Sequence, residues 1–127
     1  MKYLCLGYFD AKKMDALPKP EIDAIMCECQ PHLERLYDSG HLIIDAGLDQ
    51  EITSLQRVNG KLKITVGPFV EISEVIGSAF IIDAQDMEEA IRIASLHPTT
   101  QMSAGEQLGW GIEIRPIHYF EKRELEG

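Results

Sequence analysis

Residues 51–84 read EITSLQRVNGKLKITVGPFVEISEVIGSAFIIDA. Two runs, EITSLQRV and KLKITV, flank Asn59 and Gly60, a pair that tolerates the positive φ angles of a two-residue hairpin turn. The second run is stopped at Gly67 and Pro68, because Pro cannot donate to a ladder and Gly supplies dihedrals other residues avoid. A fresh apolar run, VIGSAFIIDA at 75–84, then reads as a buried strand. How this stretch is divided decides the fold, since everything else depends on whether the hairpin counts among the strands of the main sheet.

Working outward, KYLCLGYF at 2–9 is apolar on both alternating faces, with Tyr3, Cys5 and Phe9 on one and Leu4, Leu6 and Tyr8 on the other. That pattern predicts a central strand covered on both sides. ALPKPE breaks the chain, and Pro20 suits the first turn of a helix. Ile22, Ile25, Met26, Cys29, Leu33 and Leu36 then follow at helical spacing on one face, up to a stop at Gly40. Pro31 lies inside this helix, where it frees the Cys27 carbonyl and predicts a kink. HLIIDAGL at 41–48 is the next strand. A second helix opens at Asp86 with Glu89 three residues on, a capping-box start, and Met87, Ala90, Ile91 and Ala94 form its predicted inner stripe. It stops at His97 and Pro98, the segment 98–110 reads as a long loop, and GIEIRPIHYF is the last strand. Residues 120–127 read as a solvated tail.

The order is strand, helix, strand, hairpin, strand, helix, strand, within a single domain spanning 1–127. With the hairpin set aside as an insertion, this is the split βαβ pattern of a ferredoxin-like α+β fold, an antiparallel sheet with both helices on one face. Tyr3, Leu4, Phe80 and Ile82 are too many apolar side chains to hide beneath two helices. The second sheet face therefore calls for a cover, and a homodimer supplies one.

The chain of 127 residues is acidic, with a formal net charge of -9. It lacks the basic surface that neutralises phosphates, which excludes nucleic acid and anionic membranes as partners. No stretch has the length and apolarity of a membrane span or of a signal segment with its cleavage site, so a cytoplasmic protein is expected. The 3 Cys residues read as reduced thiols rather than a disulfide framework. The His residues at 32, 41, 97 and 118 show no ligand spacing, so no metal and no cofactor are expected.

Several of these stretches together resemble the YCII-related family, whose larger branch is called the DGPF-domain proteins. The resemblance rests on GPFVE at 67–71, Glu74, IGSAFII, DMEEA at 86–90 and GIEIRP at 111–116, with KYLCLGYFD and DSGHLIIDAGL in support. It implies a dimeric α+β barrel of ferredoxin-like subunits. In some relatives it implies an acid/base pair made of a His on the first helix and an Asp near its end; other relatives accompany sigma factors. Asp38 matches that Asp. Counting back from Gly40 without a gap places Cys29 at the family's His position, with His32 one turn closer. Val66 stands where the family's DGPF has its acid.

The residues offer both functional and structural readings. His32 is a general acid or base oriented by Asp38, or a flank residue bonded to a backbone carbonyl; six residues apart on a regular helix, the two point nearly oppositely. Arg115 shares a face with Glu113, opposite Ile112 and Ile114, either as a fork for an anionic ligand or in a cross-strand ion pair. Tyr8 and Phe69 are candidates to line an apolar pocket. Gly77 and Ser78, with Ala79, leave room for a ligand or a partner's backbone to approach the sheet. The expectation is a homodimer with a small-molecule cleft between sheet and hairpin, doing cofactor-free lyase- or isomerase-type chemistry or serving as a non-catalytic binding or regulatory module.

Overall fold

The structure is a computed structural model that describes residues 1–68 and 73–125. Among these residues, six strands and five helices follow in the order β1 (Lys2–Asp10), α1 (Ala11–Asp15), α2 (Lys19–Asp38), β2 (Leu42–Gly47), β3 (Thr53–Val58), β4 (Lys61–Val66), β5 (Glu74–Asp83), α3 (Met87–Ala94), α4 (Pro98–Gln101), α5 (Ala104–Leu108) and β6 (Gly111–Pro116). The strands β2-β5-β1-β6 form one sheet in that order, and among the described residues β3 pairs only with β4. All the pairings are antiparallel. The chain is therefore α+β, and the order of its four-stranded sheet is compatible with a ferredoxin-like arrangement.

Register explains which side chains meet. One row across the sheet runs Asp45, Phe80, Cys5, Ile114; the next runs Ala46, Ala79, Leu6, Glu113 on the opposite face. On the helix side Tyr3, Cys5, Phe80 and Ile82 are sealed by Leu36 of α2 and by Ala90, Ile93 and Ala94 of α3. Each of the large apolar side chains here, buried to 0–4% exposure, contributes about 1.5–3 kcal/mol. Tyr3, Phe80 and Ile82 thus do hide beneath the helices. Leu4 is the one of the four that faces away, beside Leu6, Ile81 and Ile44, and Ile44 is 54% exposed.

Local chemistry accounts for the element ends. Asp86 accepts the Glu89 backbone N–H at 2.9 Å, while the Glu89 carboxylate accepts the Gln85 N–H at 3.1 Å, closing the start of α3 reciprocally. The α3 stripe is rotated from the predicted one: Ala90, Ile93 and Ala94 are buried, and Ile91 and Met87 are exposed. The sheet sits on the Ala90, Ile93 and Ala94 side, so Ile93 takes the place the pattern gave to Ile91. Helix α2 runs from Lys19 to Asp38 with Pro31 inside it. Both Pro31 and Cys27 are exposed, so water can take the freed carbonyl. Segment 98–110, predicted as a loop, holds α4 and α5. His97 caps the first of these through its side chain, and Gly109 ends the second at φ +69°.

In the hairpin, Asn59 and Gly60 both have positive φ, as the primed turn requires. Gly67 has φ +116°, donates its N–H to the Ile52 carbonyl at 2.8 Å and accepts the Ser54 hydroxyl. The glycine of the VGPF run therefore has a conformational reason, and Gly67 pins the chain where it leaves β4.

Candidate functional site

A row of small residues crosses three strands at one end of the sheet. Register aligns Gly47 of β2, Ser78 of β5 and Gly7 of β1 on the face that carries Phe80 and Cys5 two residues along. With almost no side-chain volume there, the space between α2 and this end of the sheet is left unfilled. The result is a cavity of about 580 Å³, the size of a pocket for a small organic molecule.

Each wall comes from a different element. The α2 stripe provides Ile22, Met26, Cys29, Leu33 and Tyr37; the ends of β1 and β2 add Phe9, Tyr8, Ala46 and Leu48; α1 adds Met14 and Asp15; and His97, Pro98, Thr99 and Trp110 close the far end. Gly105 makes that end possible, because a Cβ there would lie 2.6 Å from the Thr99 carbonyl and 3.3 Å from the Trp110 ring. No residue of β3 or β4 lines the cavity. The expected cleft between sheet and hairpin is thus replaced by one between sheet and α2, because the small residues face the helix.

Polar groups are few and convergent. The Tyr37 hydroxyl donates to Asp45 Oδ2 at 2.6 Å, and this bond to a carboxylate is the main reason the phenol's pKa lies above its ordinary value. His97 is 7% exposed and stacks on Phe80, with ring centroids 5.0 Å apart and 3° between planes. Its Nδ1 accepts the Thr99 backbone N–H at 3.2 Å, and the Thr99 hydroxyl lies 3.0 Å away. A backbone N–H can only donate, so Nδ1 is unprotonated and Nε2 carries the proton. Burial pushes the His97 pKa below its ordinary value, and the Asp45 carboxylate pulls it partly back. The imidazole is thereby neutral, and it is one of the residues that line the cavity. Cys29 also lines the wall, with Sγ 3.5 Å from Met102 Sδ. Burial, then the nearby Glu28, raises its thiol pKa, so it stays a thiol. Among the described residues no three His, Cys, Asp or Glu side chains cluster as metal ligands, and no helix is long and apolar enough to cross a membrane.

The residues singled out from the sequence separate into two groups. Tyr8, Gly77 and Ser78 border the cavity. Tyr8 also borders a smaller pocket of about 310 Å³, where its hydroxyl donates to Glu113 at 3.3 Å. Gly77 matters through packing, since a Cβ on it would lie 2.8 Å from the Phe9 ring. Phe69 lies outside the described residues. His32 and Asp38 do not line the cavity; Asp38 is exposed, and His32 Nδ1 is sealed without a partner among the described residues. Arg115 is exposed on the opposite sheet face with Glu113, and neither forms an ion pair among the described residues. The sequence pattern does not single out Asp45 or Tyr37; His97 enters it only as a helix stop, and Trp110 only within the glycine-bearing 98–110 loop, a candidate lid. One signal was there: Asp45 is a lone carboxylate in the apolar run HLIIDAGL.

A sequence profile of the YCII-related domain matches residues 1–109. The chain belongs to the YCII-related domain family. The match takes in every wall of the cavity except Trp110, one residue beyond its end. No individually curated protein is significantly similar to this YCII-related chain.

Proposed function

We propose that this YCII-related protein binds a small organic molecule in the cavity between α2 and the sheet. The observation that carries this reading is the Gly47, Ser78, Gly7 row, which leaves a cavity unfilled over one end of the sheet, beside the register shift between Gly7 and Tyr8. A chain selected only for stability would fill such a space, because each missing methylene in a core forfeits about 0.8 kcal/mol. Trp110 is the chain's single Trp and lies on the wall, so its fluorescence reports occupancy. A fragment and metabolite screen is expected to yield compounds that change Trp110 emission saturably. A screen in which no compound does so, with Gly47→Val unchanged in the same assay, sinks the proposal.

A second reading, proton-transfer chemistry without a cofactor, is favoured by three polar side chains around the cavity: Tyr37 is bonded to Asp45, and the Asp45 carboxylate is near enough to act on the His97 ring. Asp45 would be the base, and His97 Nε2–H would donate to a developing oxyanion. This differs from a non-catalytic binding or regulatory module by turnover. Any compound found to bind is incubated with protein and with Asp45→Asn; conversion by the first and not the second supports catalysis, and binding without conversion supports the module.

The homodimer belongs to the same proposal. Rows of Ile44, Ile81 and Leu4 and of Ala46, Ala79 and Leu6 form an apolar patch on the open sheet face, and a second copy covering it would give the dimeric barrel. Sedimentation over a range of concentrations is expected to show a dimer; a monomer throughout would refute the cover.

A further inference from the structure

We infer that the cavity's ligand is an organic cation, a protonated amine on an apolar body. This rests on the small-molecule reading above and extends it to the charge and shape of what binds. No Lys or Arg is found among the described residues that line the cavity, while Asp15 stands at its mouth and Asp45 on its wall. An anion entering there would meet two carboxylates and no compensating charge, a desolvation loss with nothing to offset it.

An ammonium group meets the reverse. Asp45 uses Oδ2 to accept the Tyr37 hydroxyl, and its Oδ1 has no hydrogen-bond partner among the described residues. That free lone-pair side is the charge-assisted acceptor a protonated amine needs. The body of such a ligand would lie against Phe9 and Trp110, whose ring faces favour a nearby cation as well as apolar surface. Met14 and Met26 supply adaptable apolar wall. The formal net charge of -9 draws cations toward the molecule as a whole. Arg115, the cation expected from sequence to receive an anionic ligand, is on the other face of the sheet.

Three near-isosteric probes decide the matter: 2-phenylethylamine, 2-phenylethanol and phenylacetate, titrated against Trp110 fluorescence at neutral pH and low salt. The amine is expected to bind about tenfold or more tighter than the alcohol, and the carboxylate about tenfold or more weaker. Asp45→Asn is expected to bring amine and alcohol within about threefold of each other; Asp15→Asn should give a smaller change of the same sign. An alcohol or carboxylate that binds as tightly as the amine overturns the cation assignment and leaves the cavity reading standing. Retention of the amine preference in both Asp variants overturns it as well. If none of the three probes gives saturable binding, the assignment of a protonated amine on an apolar body falls, and the cavity reading is decided by the wider screen above.

Discussion

Replacing Gly47 by Val should stabilise the protein and cripple its cavity at once. Gly47 ends β2 on the cavity side, and a Cβ built on it meets nothing within 4 Å. Its φ lies outside the left-handed range, so an L side chain enters without backbone strain. Removing a glycine from a strand contributes about 0.5–1 kcal/mol. Partial cover of the added carbons, at about 0.8 kcal/mol per buried CH₂, contributes roughly 1 kcal/mol more. Together these amount to about 1.5–2 kcal/mol, or a Tm rise of roughly 5–8 °C for a domain of this length. Calorimetry checks the first half, and titration with whichever probe the wild type binds checks the second, where an affinity loss of about tenfold or more is expected. A fall in Tm would mean that position 47 does not face open space. A rise in Tm with unchanged affinity would mean that the ligand does not use the floor of the cavity.

Three further outcomes follow from the geometry. Gly77→Ala is expected to lower stability by about 1–3 kcal/mol, because its Cβ would press on the Phe9 ring; a neutral result in urea melts would show that the ring is free to move. Acid should weaken the fold through His97. Above its ordinary pKa of 6.5 the ring is neutral in folded and unfolded chains alike and contributes nothing. As the pH falls through that value, the unfolded chain takes up a proton that the folded chain, with its lowered pKa, refuses. Stability then drops by about 1.4 kcal/mol for each unit of that lowering, and His97→Asn should flatten the slope; equal slopes in urea melts between about pH 7.5 and about pH 5 would contradict this. Finally, a thiol reagent at neutral pH should label Cys27 quickly and spare Cys5 and Cys29. Cys27 is exposed, burial pushes Cys5 up to about 12, and Cys29 is buried and raised in the same direction. Mass spectrometry showing Cys29 labelled as fast as Cys27 would refute its placement on a closed wall.

What could be read from the sequence divides along physical lines. The strand KYLCLGYF, the Asn59–Gly60 turn, the Pro20 and Gly40 ends of α2 and the Asp86 cap are local signals, and each appears where expected, within a residue or two. The rotation of α3 was not legible, because Ile91 and Ile93 fit the helical period almost equally and only the sheet beneath decides between them. Helices α4 and α5 are too short to show a period, and they hold together through the His97 cap and the close approach of Gly105 to Thr99. The cavity escaped because it is a product of register. Gly7, Gly47 and Ser78 are far apart in the chain, and nothing local says that they fall in line. Small residues at 77–79 were the one visible hint, and of these only Ser78 lies in that row. His32 drew attention through a helix motif, whereas His97, marked only as a helix stop, is the imidazole at the cavity.

The floor of the cavity is made of side chains that are absent, carried on the paired backbone of three strands rather than on a loop. Its depth is therefore set residue by residue. An Ala, Val or Leu at position 47 would shorten the space in graded steps without altering a single strand pairing. Substitutions at one or two positions would thus refit the proposed binding space to molecules of different girth, and an engineer could retune the pocket the same way, with the scaffold expected to gain stability rather than lose it.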